Sequence, residues 1–212
     1  MNINRKKHWE NIYQAKKPTE VSWYQTDPVI SLALIASTGI DHASRIIDIG
    51  GGASVLADKL LDKGFKNLTV LDISLQALRC AQERLGKRAE NVNWIATDIR
   101  QAELPSIYDL WHDRAVFHFL TSQEDRKKYI QTMEKAVRPG GHVIIATFAL
   151  EGPAKCSGLD VERYDPGKLQ KELGKVFVLV KSVDEVHITP GQLKQKFVYC
   201  HFKKQDNEGG KK

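Results

Sequence analysis

From residue 45 onward the chain alternates short β-rich runs with helical ones, and this rhythm restricts its fold more than any other feature. RIIDIG is β-rich, and ASVLADKLLDKG then places apolar residues at 55, 56, 60 and 61 before stopping on Gly64, as a helix does. LTVLDIS (68–74) is strand-like. SLQALRCAQERLG runs from an N-cap serine, Ser74, to a terminating Gly86. VNWIATD (92–98) and YDLWHDRA (108–115) predict a third and a fourth strand. A helix over 122–137, a turn at Arg138-Pro139-Gly140-Gly141 and a continuously apolar fifth strand, HVIIATF (142–148), follow. Repeated strand–helix–strand units give a parallel sheet with helices on its faces. Beyond residue 150, KLQKELG (168–174) suits a short helix. VFVLVKSVDEVHI and LKQKFVYCHFKK leave no room for a helix between them and predict an antiparallel hairpin. The expected fold is α/β: a doubly wound, mostly parallel seven-stranded sheet with a C-terminal antiparallel hairpin.

The same reading divides the chain of 212 residues into an N-terminal helical segment (1–40), a main domain (41–203) and a flexible tail (204–212). Two helices are expected in the first segment, around HWENIYQA and VISLALIAS, separated by Pro18 and Pro28. No apolar stretch approaches the roughly 18 residues that span a bilayer, so no membrane association is expected. MNINRKKHWE has charge without an apolar run behind it, so no secretory leader is expected either. Cys80, Cys156 and Cys200 are far apart and lack metal-ligand spacing, which fits free thiols in a reducing compartment, the cytoplasm by default.

The net charge of +6 invites a nucleic-acid partner, so its location matters. Arg5, Lys6 and Lys7 carry half of it. Most of the rest lies on Lys203, Lys204, Lys211 and Lys212, partly offset by Asp206 and Glu208. A reader of nucleic acid concentrates basic charge on a folded face, and here it sits in the ends. Dedicated nucleic-acid binding is not expected.

IIDIGGGAS (46–54) sets three consecutive glycines directly behind a strand. Each glycine costs roughly 0.5–1 kcal/mol relative to alanine in regular structure, so the run implies a tight turn or a ligand laid on bare backbone. Strand, glycine turn and helix place a ligand at the carboxyl edge of a parallel sheet. GxGxxG fails at Val55, and GxxxxGK[ST] is absent, which argues against a dinucleotide or a nucleoside triphosphate. Asp48 would repel a phosphate and attract an ammonium or sulfonium. Asp72, 20 residues beyond Gly52, is placed to take a ribose diol, and Asp98 an adenine amino group with Ile99 over the ring. Each acid alone could be a helix cap. Three in step with a glycine loop favour a ligand site.

These residues resemble those of class I S-adenosylmethionine-dependent methyltransferases, a Rossmann-like family. DIGGGAS is similar to the family's first motif, LDIS to its acidic second strand, ATDI to its adenine-side motif and RPGGHVIIAT to its fifth strand. The terminal hairpin is similar to its reversed last strand. The resemblance covers roughly residues 40–203. It implies that Asp48, Gly50, Gly51 and Gly52 hold the methionine part of S-adenosylmethionine, Asp72 with Ile73 the ribose, and Asp98 with Ile99 the adenine.

The acceptor side is read from DLWHDRAVFHFL, which lacks the [DN]PP[YF] of base-modifying amino methyltransferases. His112 or Asp113 could accept a proton from an amine, or orient it, at a charged mouth beside Arg114; the alternative is that Asp113 and Arg114 form a structural salt bridge and His112 packs on the surface. DRA with Arg126 and Tyr129 resembles thiopurine S-methyltransferases. HWENIY…SWYQ with the DR segment resembles small protein-lysine methyltransferases, and a lysine-type protein acceptor is the expectation, with a small thiol as the alternative. Trp23 and Tyr24 are expected either to cover the cofactor cleft, Trp23 near the sulfonium, or to pin the first helix to the core. Arg163 and Tyr164 are candidates for an anionic acceptor, or belong to a solvated loop ahead of a helix starting at Asp165-Pro166. Cys156 and Ser157 have no nearby base and are not expected to act as nucleophiles. The implied partner is therefore a methyl-acceptor protein or small molecule; oligomeric state is not readable.

Overall fold

Val143, Ile144, Ile145 and Ala146 are all buried, and alternate ones enter opposite cores. A strand covered on both faces does this, and it sets the architecture of residues 4–206, the part of the chain described by the computed structural model. In chain order come α1 (Arg5–Ala15), α2 (Val29–Ser37), β1 (Arg45–Ile49), α3 (Leu56–Asp62), β2 (Asn67–Asp72) and α4 (Leu75–Leu85). β3 (Val92–Ala96), β4 (Tyr108–Arg114), α5 (Gln123–Ala136) and β5 (Val137–Phe148) follow. A small ribbon of β6 (Lys155–Cys156) and β7 (Leu159–Asp160) precedes α6 (Pro166–Leu173), β8 (Phe177–Ile188) and β9 (Lys194–Lys204).

The seven-stranded sheet has the order β3-β2-β1-β4-β5-β9-β8. Its first five strands are parallel, and β9 and β8 are antiparallel to their neighbours, as the hairpin pattern predicts. One face packs Trp111, Val143, Ile145 and Phe202 against Tyr129 and Met133 of α5 and Leu169 of α6. The other packs Leu110, Ile144 and Tyr199 against Leu34 of α2, Leu56 and Leu60 of α3 and Leu78 of α4. Each such side chain contributes about 1.5–3 kcal/mol by leaving water.

The helix starts read at Ser74 and Asp165 are capped, Ala77 N–H donating to Ser74 Oγ at 3.1 Å and Lys168 N–H to Asp165 Oδ1 at 2.7 Å, and Ser122 caps α5 as well, accepting Asp125 N–H at 3.1 Å. α6 accordingly starts two residues earlier than its apolar pattern, at Pro166. The turn expected at Arg138–Gly141 is instead part of β5, which follows α5 with no intervening loop. Val137 pairs with Tyr108, the register shifts before Leu110, and Gly140 takes φ +68° to absorb the irregularity. Arg138 Nε donates to Asp109 Oδ1 at 2.5 Å and holds that detour. The tail expected from residue 204 starts later: Lys204 closes β9 and Gln205 N–H donates to Val176 O at 2.8 Å. The remaining positions of that segment, 207–212, lie outside the described residues.

Candidate active site

Parallel pairing brings the three acids to one edge of the sheet, because β1, β2 and β3 end together. Asp48 stands beside Val70 and His112 in the ladder, and Asp72 beside Ala96. Gly50 and Gly52 turn the chain away with φ +66° and +33°, conformations that favour glycine. Space is as restrictive as torsion. A Cβ on Gly50 would stand 2.0 Å from Val116 Cγ2, one on Gly51 2.4 Å from Asp48 Oδ2, and one on Gly52 2.6 Å from Asp72 Oδ2. The glycines are therefore required first by the protein's own side chains: they let two carboxylates lie against the loop backbone. The sequence reading offered a tight turn or a ligand on bare backbone, and not the protein's own carboxylates.

Asp72 is buried, and Ser74 N–H donates to its Oδ1 at 2.8 Å. Burial, reinforced by the charges of Asp48 and Glu10, pushes its carboxyl up to about 7. Ser74 also joins Asp72 to the N-terminal helix. Its hydroxyl donates to Glu10 Oε2 at 2.9 Å, and Glu10 accepts Leu75 and Gln76 N–H at 2.8 and 3.1 Å. Glu10 of α1 thus caps the first turn of α4 with a favourable negative charge. Asp98 is engaged by Arg100, whose Nε lies 2.9 and 3.1 Å from its two oxygens. Partial burial pushes that carboxyl up, but the guanidinium outweighs it and holds the group below its ordinary value. Its expected adenine contact must compete with this pair. Ile73 and Ile99 line the cavity between Asp72 and Asp98.

The end of β4 departs most from expectation. His112 is not at a mouth: it is buried, with Nδ1 2.7 Å from Asp48 Oδ1 and Nε2 2.9 Å from Ser31 Oγ. Asp113 turns to the opposite face, where it is fully buried and accepts Val116 N–H at 2.9 Å, Phe117 N–H at 3.1 Å and Tyr129 Oη–H at 2.6 Å. Burial pushes its carboxyl up to about 7. Asp113 is correctly read as a clamp on the turn after β4, in which Ala115 takes φ +71°, and not as an acceptor base. Adjacent strand residues point to opposite faces, so His112 and Asp113 could not share a mouth.

Arg114 does reach the site. Its Nε donates to Tyr199 Oη at 2.8 Å and its Nη1 to Trp23 O at 2.9 Å, while Nη2 is buried without a hydrogen-bond partner, 3.6 Å from Glu185. Tyr164 and Arg163 do not. Tyr164 is fully buried against Phe117, and Arg163 Nη1 reaches back to Gly152 O at 3.3 Å. Neither lines either cavity described next.

Two cavities adjoin across Tyr13, Trp23, Gly50 and Arg114. The first is lined by Asp72, Ile73, Asp98 and Ile99 together with Arg114, Val116, Phe119, Leu120, Cys156 and Leu159. The second holds Asp48, Gly51, Ser54, His112, Tyr24 and Gln25. Trp23 lines both cavities and also packs on Trp9 and Tyr13 of α1. Tyr24 borders the second cavity. Much of the cover was missed: Arg5, Trp9 and Tyr13 of α1 line the first cavity as well. Trp9 packs edge-on against Trp23 and Phe119 with ring centroids 5.6 and 5.0 Å away, and Trp23 Nε1–H donates to Tyr13 Oη at 3.3 Å. The signal was available as aromatic residues at 9 and 13, one helical turn apart on one face.

Residues 46–141 match the family described as "Methyltransferase domain". An eEF1A lysine and N-terminal methyltransferase of Mus musculus is 29% identical over 98 residues, 46% of this chain and 14% of that protein. A malonyl-[acyl-carrier protein] O-methyltransferase of Anoxybacillus flavithermus is 34% identical over 104 residues, 49% of this chain and 38% of that protein. The chain spans well under two thirds of either relative. Among solved structures, the N-methyltransferase NodS of Bradyrhizobium japonicum WM9 is 25% identical with a TM-score of 0.66, covering 84% of this chain and 94% of its own. Its complex with S-adenosyl-l-homocysteine aligns with a TM-score of 0.72 at 22% identity over 95% of this chain and 99% of its own. In fold and over residues 46–141 the chain is therefore similar to S-adenosylmethionine-dependent methyltransferases of the Rossmann-like class. Among the described residues, no helix is long and apolar enough to cross a membrane.

Proposed function

We propose that the chain moves a methyl group from S-adenosylmethionine to a nucleophile entering beside Trp9, Phe119 and Cys156, with the product S-adenosyl-L-homocysteine. The observation that carries this reading is the cavity that brings Asp72 and Asp98 together with Trp9, Phe119 and Cys156. The cofactor supplies an electrophilic methyl on a sulfonium. Asp48 attracts the ammonium of the methionine part, with the backbone of Gly50, Gly51 and Gly52 beside it. Asp72 takes the ribose hydroxyls. Ile73 and Ile99 cover the adenine, whose amino group shares Asp98 with Arg100. Trp9, Trp23 and Phe119 exclude water and offer aromatic faces to the cation, worth ~0.5–2 kcal/mol.

On this reading residues 1–40 form a lid over a domain spanning 41–203, and the protein works in the cytoplasm. A lysine-type protein acceptor is supported by the HWENIY…SWYQ resemblance and by the name of the mouse relative. A small acceptor is supported by the enclosed apolar wall of Phe119, Leu120 and Leu159. Incubation with methyl-labelled cofactor, a cell lysate and a panel of thiols separates them. Label on a protein band supports the first and label on small thiols the second. Label on neither, with cofactor bound, leaves only a non-catalytic binding module.

A further inference from the structure

β8 is the outermost strand of the sheet: it pairs with β9 on one side, and its other edge meets no strand. An open edge presents unpaired N–H and C=O groups, which proteins blunt with caps, charges or bulges. Here that protection stops partway. Gln170 of α6 covers the beginning, its Nε2 donating to Phe177 O at 2.7 Å and its Oε1 accepting Leu179 N–H at 2.8 Å. The ladder with β9 then shifts between Leu179 and Lys181, a bulge that leaves Val180 unpaired with β9. From Lys181 to Ile188 the pairing is regular, and among the described residues no side chain caps the outer main chain as Gln170 does. This stretch is also apolar: Val180 and Val186 are 57% and 55% exposed.

What fits an open edge is another strand, and this one is complementary to itself. A twofold axis perpendicular to two antiparallel strands sets one residue opposite its own copy. With Val183 on the axis, Val180 faces Val186 of the second copy, Lys181 faces its Glu185, and Ser182 faces its Asp184. Each valine meets a valine, and each charge meets an opposite charge or a hydroxyl. Neighbouring registers do not achieve this. An axis through Ser182 opposes Val180 to Asp184, and axes through Lys181, Asp184 or Glu185 oppose like charges. Glu185 need not give up its present partners. Its two oxygens accept from Gln25 Nε2 and Tyr199 Oη, each at 2.9 Å, and each keeps a second lone pair.

We infer that β8 is a dimerisation edge: two copies pair antiparallel through Val180–Val186 with Val183 on the axis, joining two seven-stranded sheets into one. The inference stands apart from the methyl-transfer reading. The bulge and Gln170 close the ladder at both ends. The interface therefore offers seven residues per copy against the roughly 20–30 of a standard interface, and the dimer forms at micromolar concentration or above.

Sedimentation equilibrium of the full chain from micromolar to millimolar concentration is expected to show monomer and dimer in exchange. Val186→Lys, at an exposed position that lines neither cavity of the candidate site, is expected to weaken association about tenfold or more. Ser182→Lys, facing Asp184 of the second copy, is expected to strengthen association, and Ser182→Asp to weaken it. A folding defect would not reproduce that pair of opposite effects. Val183→Cys is expected to give a disulfide-linked dimer on mild oxidation, since residues opposed across antiparallel strands stand about 4.5–5.5 Å apart at Cα, within disulfide reach. Asp184→Cys, whose two copies stand two positions out of register, is not. Peptide mass mapping distinguishes a link through position 183 from links through Cys80, Cys156 or Cys200. A monomer at every concentration, a dimer that responds alike to Ser182→Lys and Ser182→Asp, or cross-linking that bypasses position 183 would overturn the inference.

Discussion

His112 Nδ1 lies 2.7 Å from Asp48 Oδ1, so the acid at the mouth of the glycine loop is already half of a buried pair. An ammonium arriving there meets a carboxylate oriented by an imidazole, which Ser31 orients in turn from 2.9 Å. Asp48→Asn is expected to weaken S-adenosyl-L-homocysteine binding by ~1–3 kcal/mol, the worth of one charged hydrogen bond. His112→Leu should weaken it less, but lower stability by a comparable amount, since it leaves Asp48 without its partner. Calorimetric titration and thermal unfolding of both variants check the ordering.

The glycine loop gives a graded series. Gly52→Ala sets a methyl 2.6 Å from Asp72 Oδ2 at a φ of +33°, and Gly50→Ala sets one 2.0 Å from Val116 Cγ2. Gly86, at φ +56°, has nothing within 4 Å of the position a Cβ would take. Gly86→Ala should therefore cost only the strain of its positive-φ backbone, about 1–3 kcal/mol, with binding intact. Gly52→Ala should lose both stability and cofactor affinity. Equal effects at positions 52 and 86 would show that torsion alone matters.

Asp72 makes binding and stability depend on pH in opposite directions. Its folded carboxyl, at about 7, lies above the unfolded value near 3.8. Between the two, the native state keeps a proton that the unfolded chain has released. Stability without ligand therefore falls as pH rises through that window, by at most ~1.4 kcal/mol per pH unit for this group. Asp113, also raised to about 7, adds in the same sense. A ribose diol donates to the ionised carboxylate, so cofactor affinity should rise from pH 6 to 8. Asp72→Asn should flatten both trends, read from melting temperatures and titrations across that range.

The clamp at Asp113 should reveal itself in stability. Asp113→Asn gives up part of the acceptance from Val116, Phe117 and Tyr129 and is expected to destabilise by about 1–3 kcal/mol. A shift in the pH dependence of kcat without loss of stability would instead restore Asp113 as a base.

The sheet was legible because β5 and its neighbours carry their period and their stops in adjacent residues. Ser74, Gly86 and Ser122 mark helix ends by chemistry that acts within a few residues. The three acids were legible for the same reason: Asp72 ends β2, Asp48 is one residue from the end of β1, and Asp98 follows β3 by two. What sequence could not convey was direction across the sheet and contact between distant segments. His112 and Asp113 are neighbours whose side chains part to opposite faces, and only the Asp48 and Tyr129 contacts show which goes where. Glu10 capping Ser74, and Trp9 against Phe119, join segments 64 and 110 residues apart. No local pattern marks them. Tyr164 looked exposed because its flanks are polar, yet its main chain is tied to Phe148 O at 3.0 Å, which draws its ring into the core.

The α1 latch is open to the same kind of test. Glu10→Ala removes the acceptor for Leu75 and Gln76 N–H without touching the cavity wall, and should speed release of S-adenosyl-L-homocysteine several-fold with a small loss of stability. Trp9→Ala, which opens the wall itself, should weaken binding more. Stopped-flow release rates check the order.

The most direct measurement is calorimetric titration of the full chain with S-adenosyl-L-homocysteine and, separately, with NADH. Saturable binding of S-adenosyl-L-homocysteine, weakened at least tenfold in Asp72→Asn, with no heat from NADH, is expected. Binding of NADH alone would contradict the assignment of Asp48, Asp72 and the glycine loop to this cofactor.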